Sequence, residues 1–261
     1  MTQALLRAGI FFSLVTILGI TERRWPQNQS AADRRHRWPI NFVLGAIDVV
    51  AVRLLMPWVA VDAARWSAVH HSGILRVLAV PAVPAAIVAI LALDLVIYAQ
   101  HRLMHRLPLL WRLHRVHHTD VALDVSSAVR FHPLEILLSM AIKIAAVLAL
   151  GAAPGVVVAF EIVLNGFAVL THANVALPAT LDRALRVLFV TPDMHRIHHS
   201  VVRAEHDRNF GFQVSWWDRL FGSYLARAQL PQTDLRLGLS DFRSPAEQGL
   251  PALLRQPIRP V

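Results

Sequence analysis

A chain of 261 residues with 55% hydrophobic and only 16% charged residues is less charged than an ordinary soluble domain, where charged residues make up roughly 25%. It has no cysteine, which excludes disulfides and thiolate metal sites, so any metal must be held by His, Asp or Glu. A formal charge of +9 fits nucleic acid, anionic lipid or the positive-inside bias of a membrane protein, and the apolar content favours the last two.

The first apolar run, LLRAGIFFSLVTILGI, covers residues 5–20. A signal peptide has a similar shape, but the following TERRWPQ offers no small-x-small cleavage site, so an uncleaved helix is expected. A second run covers 39–61 and is weakened by Asp48 and Arg53. A third, 77–93, carries no charge, and its two prolines predict a kink in the first turns. Residues 134–170 are too long for one helix crossing ~30 Å, for which ~20 residues suffice. GAAPG at 151–155 splits them into a hairpin of two short helices, each spanning only marginally or dipping in and returning.

Charge tests this arrangement. With the N-terminus outside, segments 21–39, 100–133 and 171–261 face the cytoplasm and hold 5, 5 and 11 arginines. The opposing segments 61–73 and 151–155 hold only Arg65. The parity of the spans and the arginine bias agree, as the positive-inside rule requires. The alternative is a soluble helical protein, but several runs of near-spanning length are hard to bury in so small a soluble domain. The predicted fold is an all-α integral membrane protein with about four transmembrane helices, the last two a hairpin, and a cytosolic helical cap. Residues 1–92 are read as N-terminal membrane helices, 93–224 as a catalytic domain and 225–261 as an irregular tail, dispensable for chemistry.

The histidines concentrate in that middle region. HRLMH puts His101 and His105 at i, i+4. HRVHH puts His114, His117 and His118 at i, i+3, i+4, and HRIHH repeats the pattern with His195, His198 and His199. On a helix these positions fall within an arc of roughly 100°, so the rings can converge on one or two metal ions. All three groups lie just beyond the ends of apolar runs. Asp94, Tyr98, His101 and His105 form one helical stripe running up to them. Asp94 and Tyr98 either orient ligands from behind, or Asp94 is a buried carboxylate paired with a neighbouring helix's arginine. By spacing alone, His132, His172 and His206 remain open. His36, His70 and His71 match no ligand spacing and are read as loop or interface residues.

HRLMH, HRVHH, RFHPLE, HAN and HRIHHS, followed by DRNFG and WDRLFGSY, resemble the sterol desaturase and fatty acid hydroxylase superfamily. The resemblance covers roughly residues 93–224, including the apolar hairpin between the second and third boxes. It implies an integral membrane oxidoreductase with a non-haem di-iron centre. Such enzymes use O2 and two electrons to hydroxylate or desaturate a lipid or sterol-like substrate. The metal ligands it implies are His101, His105, His114, His117, His118, His172, His195, His198 and His199. Some members carry a further His four positions after the one matching His172. Here that position is Ala176, and His132, His206 or water is left to compensate. WWDRLFGSY (216–224) is implied to close the site, with aromatics suited to a membrane interface.

The electrons must come from a separate donor protein, because no Rossmann fingerprint or c-type haem motif is visible. Hydroxylation is the expected outcome over desaturation. Arg, Ala and Val usage points to a GC-rich bacterium, hence the inner membrane with the metal site on the cytoplasmic side, and no nucleic acid partner is expected. Two rival readings remain. A metal-dependent hydrolase would want an open zinc site with a carboxylate base, but HExxH is absent. A metal transporter or binding protein would place its site near the bilayer midplane.

Overall fold

The computed structural model describes residues 3–28 and 34–260. It is all-helical: three isolated β-bridges occur among the described residues, and no strand. α1 (Gln3–Arg24), α2 (Arg34–Leu55), α5 (Ala82–Arg106), α7 (Pro133–Leu150) and α8 (Pro154–His172) are the long apolar helices. Between α2 and α5 lie the short α3 (Ala60–Val69) and α4 (Ile74–Val77). The remaining helices are short and lie between or after the long ones: α6 (Pro108–His118), α9 (Ala179–Leu185), α10 (Pro192–His198), α11 (Arg203–His206), α12 (Trp216–Leu220) and α13 (Leu250–Arg255).

Five segments, each beginning with one of the long helices, are long and apolar enough to cross a membrane, with mean hydropathy from 1.8 to 2.3. The expected count was about four, with the hairpin as the last two and each of its arms spanning only marginally or dipping in and returning. At 18 and 19 residues, however, α7 and α8 reach ~27–29 Å at ~1.5 Å per residue. That is close to the ~30 Å hydrocarbon thickness. Phe12 and Ile17 on α1, Val49 and Leu54 on α2, and Val83 and Ile87 on α5 are exposed. So much outward apolar surface calls for lipid around the helices.

The prolines of the third run do not kink a helix. Pro81 caps α5 and Pro84 sits in its first turn, where no intrahelical N–H partner is lost. The helix then continues without a break through HRLMH to Arg106. α2 ends at Leu55, six residues before the limit the hydropathy pattern suggested.

Small residues let the helices pack closely. Ala60, Ala63, Ala64 and Ala89 are fully buried with Leu93, Val147, Val157 and Phe160 in the main core. At one end of the bundle, Gly73 and Gly151 meet backbone to backbone. A Cβ on Gly73 would stand 2.2 Å from the Gly151 nitrogen, and both glycines have positive φ. Gly151 thereby ends α7 in the left-handed conformation, and Pro154 opens α8. Inside the apolar region Glu161 is held by Arg7 (2.6 Å) and Lys143 (3.0 Å).

The arginine-rich segments gather at the opposite end. Arg37 forms a two-pronged ion pair with Asp120 (2.7 Å) and reaches Asp124 (2.7 Å). Glu22 accepts from the Val125 and Asn174 amides. The tail is not loose. It forms α13, buries Leu253 against Leu44 and Val116, and bonds the interior through Gln248 and Gln256. Polar side chains without strong periodicity conceal such packing from a pattern reading.

Candidate metal centre

Four helices deliver the rings. α5 carries His101 and His105 at its C-terminal end. The chain then turns at Leu107, which is extended as a residue before proline must be, and Pro108 opens α6 with its three histidines. His172 is the last residue of α8. α10 starts from Thr191, whose hydroxyl accepts from the Met194 amide, and presents His195 and His198, with His199 at its C-cap.

The nine rings form two buried groups. His101, His105, His114, His118 and His198 make one, and His117, His172, His195 and His199 the other. Within each group the ligand atoms all lie within 4.8 Å of one another. The groups are adjacent: His118 and His199 stack at 4.5 Å with 12° between planes. Each pentapeptide contributes to both groups, since His117 leaves its box for the second group and His198 leaves its box for the first.

Hydrogen bonding sets the tautomers. His101 and His198 aim Nδ1 at the carbonyl oxygens of Phe210 (2.9 Å) and Arg208 (2.7 Å). A carbonyl only accepts, so each Nδ1 carries the hydrogen and each Nε2 is bare in the neutral ring. Yet the two Nε2 atoms lie 3.0 Å apart. The second group repeats this. His117 and His172 donate from Nδ1 to Arg130 O (3.2 Å) and Ala168 O (2.6 Å), and their Nε2 atoms stand 3.1 Å apart. Two lone pairs at that distance repel, and a cation between them removes the conflict. His114 adds an Nε2 with no partner, its Nδ1 being engaged by Glu135 at 2.7 Å.

Protonation does not offer another escape. Burial first, and neighbouring rings second, push His117, His118, His195 and His199 well below the ordinary histidine value. His198 moves the same way, by burial and by His101. Neutral rings with free nitrogens are the state a transition metal needs. The donor set therefore fits metal ions of imidazole preference, iron among them.

His132 and His206 lie outside both groups. His132 accepts from the Leu134 amide at Nδ1 and has Nε2 3.2 Å from the Leu254 carbonyl, so it caps α7. His206 stacks on Trp111 and has Nδ1 3.2 Å from Ser200 O, with its ring 6.0 Å from His105 and His118. Neither contacts the second group near Ala176. Asp94 and Tyr98 form no hydrogen bond to the rings. Asp94 accepts from Trp217 Nε1 (2.9 Å), and Tyr98 pairs with Ser223 (2.7 Å), so both fasten the 216–224 segment to α5. The arginine-paired alternative for Asp94 is absent among the described residues.

That segment supports the centre at one remove. Asp218, fully buried, accepts from the Phe210 and Gly211 amides (2.8 and 2.7 Å) and from Ser223, and so fixes the carbonyl that orients His101. Two further carboxylates meet rings directly: Glu135 at His114, and Asp207 at His105 (3.2 Å). Glu135 belongs to RFHPLE and Asp207 to DRNFG, and neither string marks its acid by spacing. Their placement depends on α7 and the 207–211 loop returning to the rings, and no local pattern signals that.

Behind α6, Arg130 donates to Val116 O, Asn41 and Gln248, while Asp120 meets Arg37. Burial opposes ionisation of Asp120, but Arg37 and Arg130 hold its carboxyl well below the usual range.

The fatty acid hydroxylase family model matches residues 86–223, which include all nine clustered histidines. An ornithine lipid hydroxylase of Rhizobium tropici is 34% identical over 139 residues, 53% of this chain and 41% of that protein. Human alkylglycerol monooxygenase is 28% identical over 143 residues, covering 52% of this chain and 29% of its own length, and the Danio rerio protein of the same name is 29% identical over 147. The alignments thus span less than half of these relatives. No solved structure matches. With more than half of its length matched, and the matched part holding the whole histidine cage, the chain belongs to the fatty acid hydroxylase family.

Proposed function

We propose that the protein is a membrane-bound di-iron oxidoreductase that uses O2 and two electrons from a separate donor protein to hydroxylate a lipid or sterol-like substrate. In this reading the centre lies on the cytoplasmic side of a bacterial inner membrane. The observation that carries the proposal is the pair of adjacent histidine groups whose bare Nε2 atoms face one another at 3.0 and 3.1 Å. His101, His105, His114, His118 and His198 would hold one iron, and His117, His172, His195 and His199 the other.

Bound iron would supply O2 activation and the electron transfer that attack on an unactivated C–H bond requires. The chain supplies the rest. Backbone carbonyls keep the Nδ1 protons in place, Glu135 and Asp207 set the orientation of His114 and His105, and burial excludes water from the rings. Because α5 and α8 end at the cage, a lipid leaving the bilayer along them reaches it without crossing the cap. The relatives' names favour hydroxylation over desaturation. A carboxylate base belongs to neither histidine group, which argues against a metal-dependent hydrolase. The position at helix ends, rather than midway along them, argues against a transport site.

The test is lipid profiling of cells with and without the protein under 18O2, with elemental analysis of the purified protein. The expected result is two irons per chain and a new lipid carrying 18O. An O2-dependent double bond without label would replace hydroxylation by desaturation. Unchanged lipids together with absent iron would refute the proposal.

A further inference from the structure

A cavity of about 110 Å³ is lined by Arg34, Arg236, Arg243 and Arg196, which directly follows His195 of the second histidine group, with Asp124 and Asn174. Room for one water needs only about 10–15 Å³, so a multi-atom ligand fits. Asp124 is already engaged by Arg37 and Trp38, which leaves the lining strongly cationic. Arg34 has Glu22 at 3.3 Å and Asp124 at 4.0 Å, and Arg243 donates to the carbonyls of Leu237 and Leu239.

Arg196 is the unusual member. Its relative exposure is 1%, yet Nε and Nη2 have no hydrogen-bond partner. Among the described residues it forms no ion pair: Asp193 and Glu22 act on it only from a distance. A buried guanidinium stays charged at neutral pH, and leaving it unpaired is strongly unfavourable. Its neighbour His195 faces the cage, while Arg196 itself lines the cavity.

We infer that this cavity is an oxyanion site, in which Arg196, assisted by Arg34, Arg236 and Arg243, binds a phosphate group. The lining residues Asn28 and Arg34 belong to the segment where α1 has ended and α2 begins, and Trp25, three positions before Asn28, is exposed, as suits a residue at the headgroup level of a bilayer. Two sources share this chemistry: the phosphodiester of a lipid headgroup, and free phosphate. The lipid source rests on the lipid hydroxylase reading, whereas the oxyanion site does not. A headgroup held there would bring its acyl chains to the edge of the cage and select phospholipids over neutral lipids.

The test is titration of inorganic phosphate into the detergent-solubilised, metal-loaded full chain, followed by isothermal calorimetry. Competition with short-chain phosphatidylglycerol follows. Saturable binding that weakens at least tenfold in Arg196→Gln and severalfold in Arg236→Gln is expected. Because Arg236 is exposed, its variant keeps the readout valid if Arg196→Gln fails to fold. Displacement of phosphate by the lipid assigns the headgroup, and phosphate binding without displacement assigns the free ion. Absence of binding by both probes, equal binding by wild type and Arg236→Gln, or equal binding by wild type and a folded Arg196→Gln, overturns the inference. Since the readout requires neither O2 nor turnover, its failure is separable from failure of the hydroxylase reading.

Discussion

A single ring illustrates how the centre works. His198 donates from Nδ1 to the Arg208 carbonyl and points Nε2 at His101. His198→Ala removes one of five nitrogens from the first group. The expected result is loss of iron and of turnover with normal membrane insertion, read by elemental analysis and membrane fractionation. Full iron content in this variant would remove His198 from the ligand set. Glu135→Gln keeps a hydrogen-bond acceptor at His114 but loses the charge, and about 10–100-fold weaker metal retention is expected. Competition with a chelator measures it.

Acid acts on the same atoms. The folded rings of His117, His118, His195, His198 and His199 resist protonation, whereas the unfolded chain takes up protons near the ordinary value of about 6.5. Below that pH the unfolded state binds more protons, so stability is full above it and falls as pH drops. Metal release follows the same direction, because each ligand must be neutral. Thermal unfolding of the metal-free protein from pH 8 to pH 5 should show a falling Tm, and a Tm that rises on acidification would contradict the assignment of neutral rings.

At the scale of elements, the helix ends decide the geometry. α5 carries its two rings only because it runs unbroken beyond its apolar run, and Pro108 redirects the chain so that α6 faces back on it. The far end of the bundle depends on the contact between Gly73 and Gly151. Gly151→Ala would put a Cβ 2.4 Å from the Ser72 carbonyl at a positive φ. A loss of more than about 1 kcal/mol is expected, seen as a lower Tm in detergent. Gly155→Ala, at the second residue of α8, meets open space and serves as the control.

At the scale of the whole molecule, the tail fastens the segments around the second histidine box. Gln248 bonds Arg130 (2.8 Å) and the Thr119 carbonyl (2.9 Å), and the Gln256 and Arg259 carbonyls accept from Arg115. Arg115 and Arg130 are both fully buried and flank the HRVHH rings. Truncation after residue 228 would leave both guanidiniums short of partners, each at roughly 1–3 kcal/mol or more. The truncated chain should insert but lose iron and resist purification as a folded species, whereas an intact, iron-loaded truncation would make the tail dispensable after all.

Helical spacing by itself determined that three histidine boxes present their rings on one face each, because i, i+3 and i+4 neighbours are fixed by the turn of a single helix. Hydropathy likewise determined an all-helical, membrane-suited chain, since apolar runs of near-spanning length have no other solution. Only the tertiary structure decided which rings share a group. His117 and His198 cross between boxes, and that exchange depends on how α6 and α10 approach, not on either pentapeptide. The same holds for Glu135, Asp207 and Asp218, which reach the centre from segments distant in the chain. It holds too for Arg196, whose isolation is visible only once every neighbour is in place. Local periodicity records the bonds within one helix, whereas long-range packing, which joins residues a hundred positions apart, leaves no periodic trace.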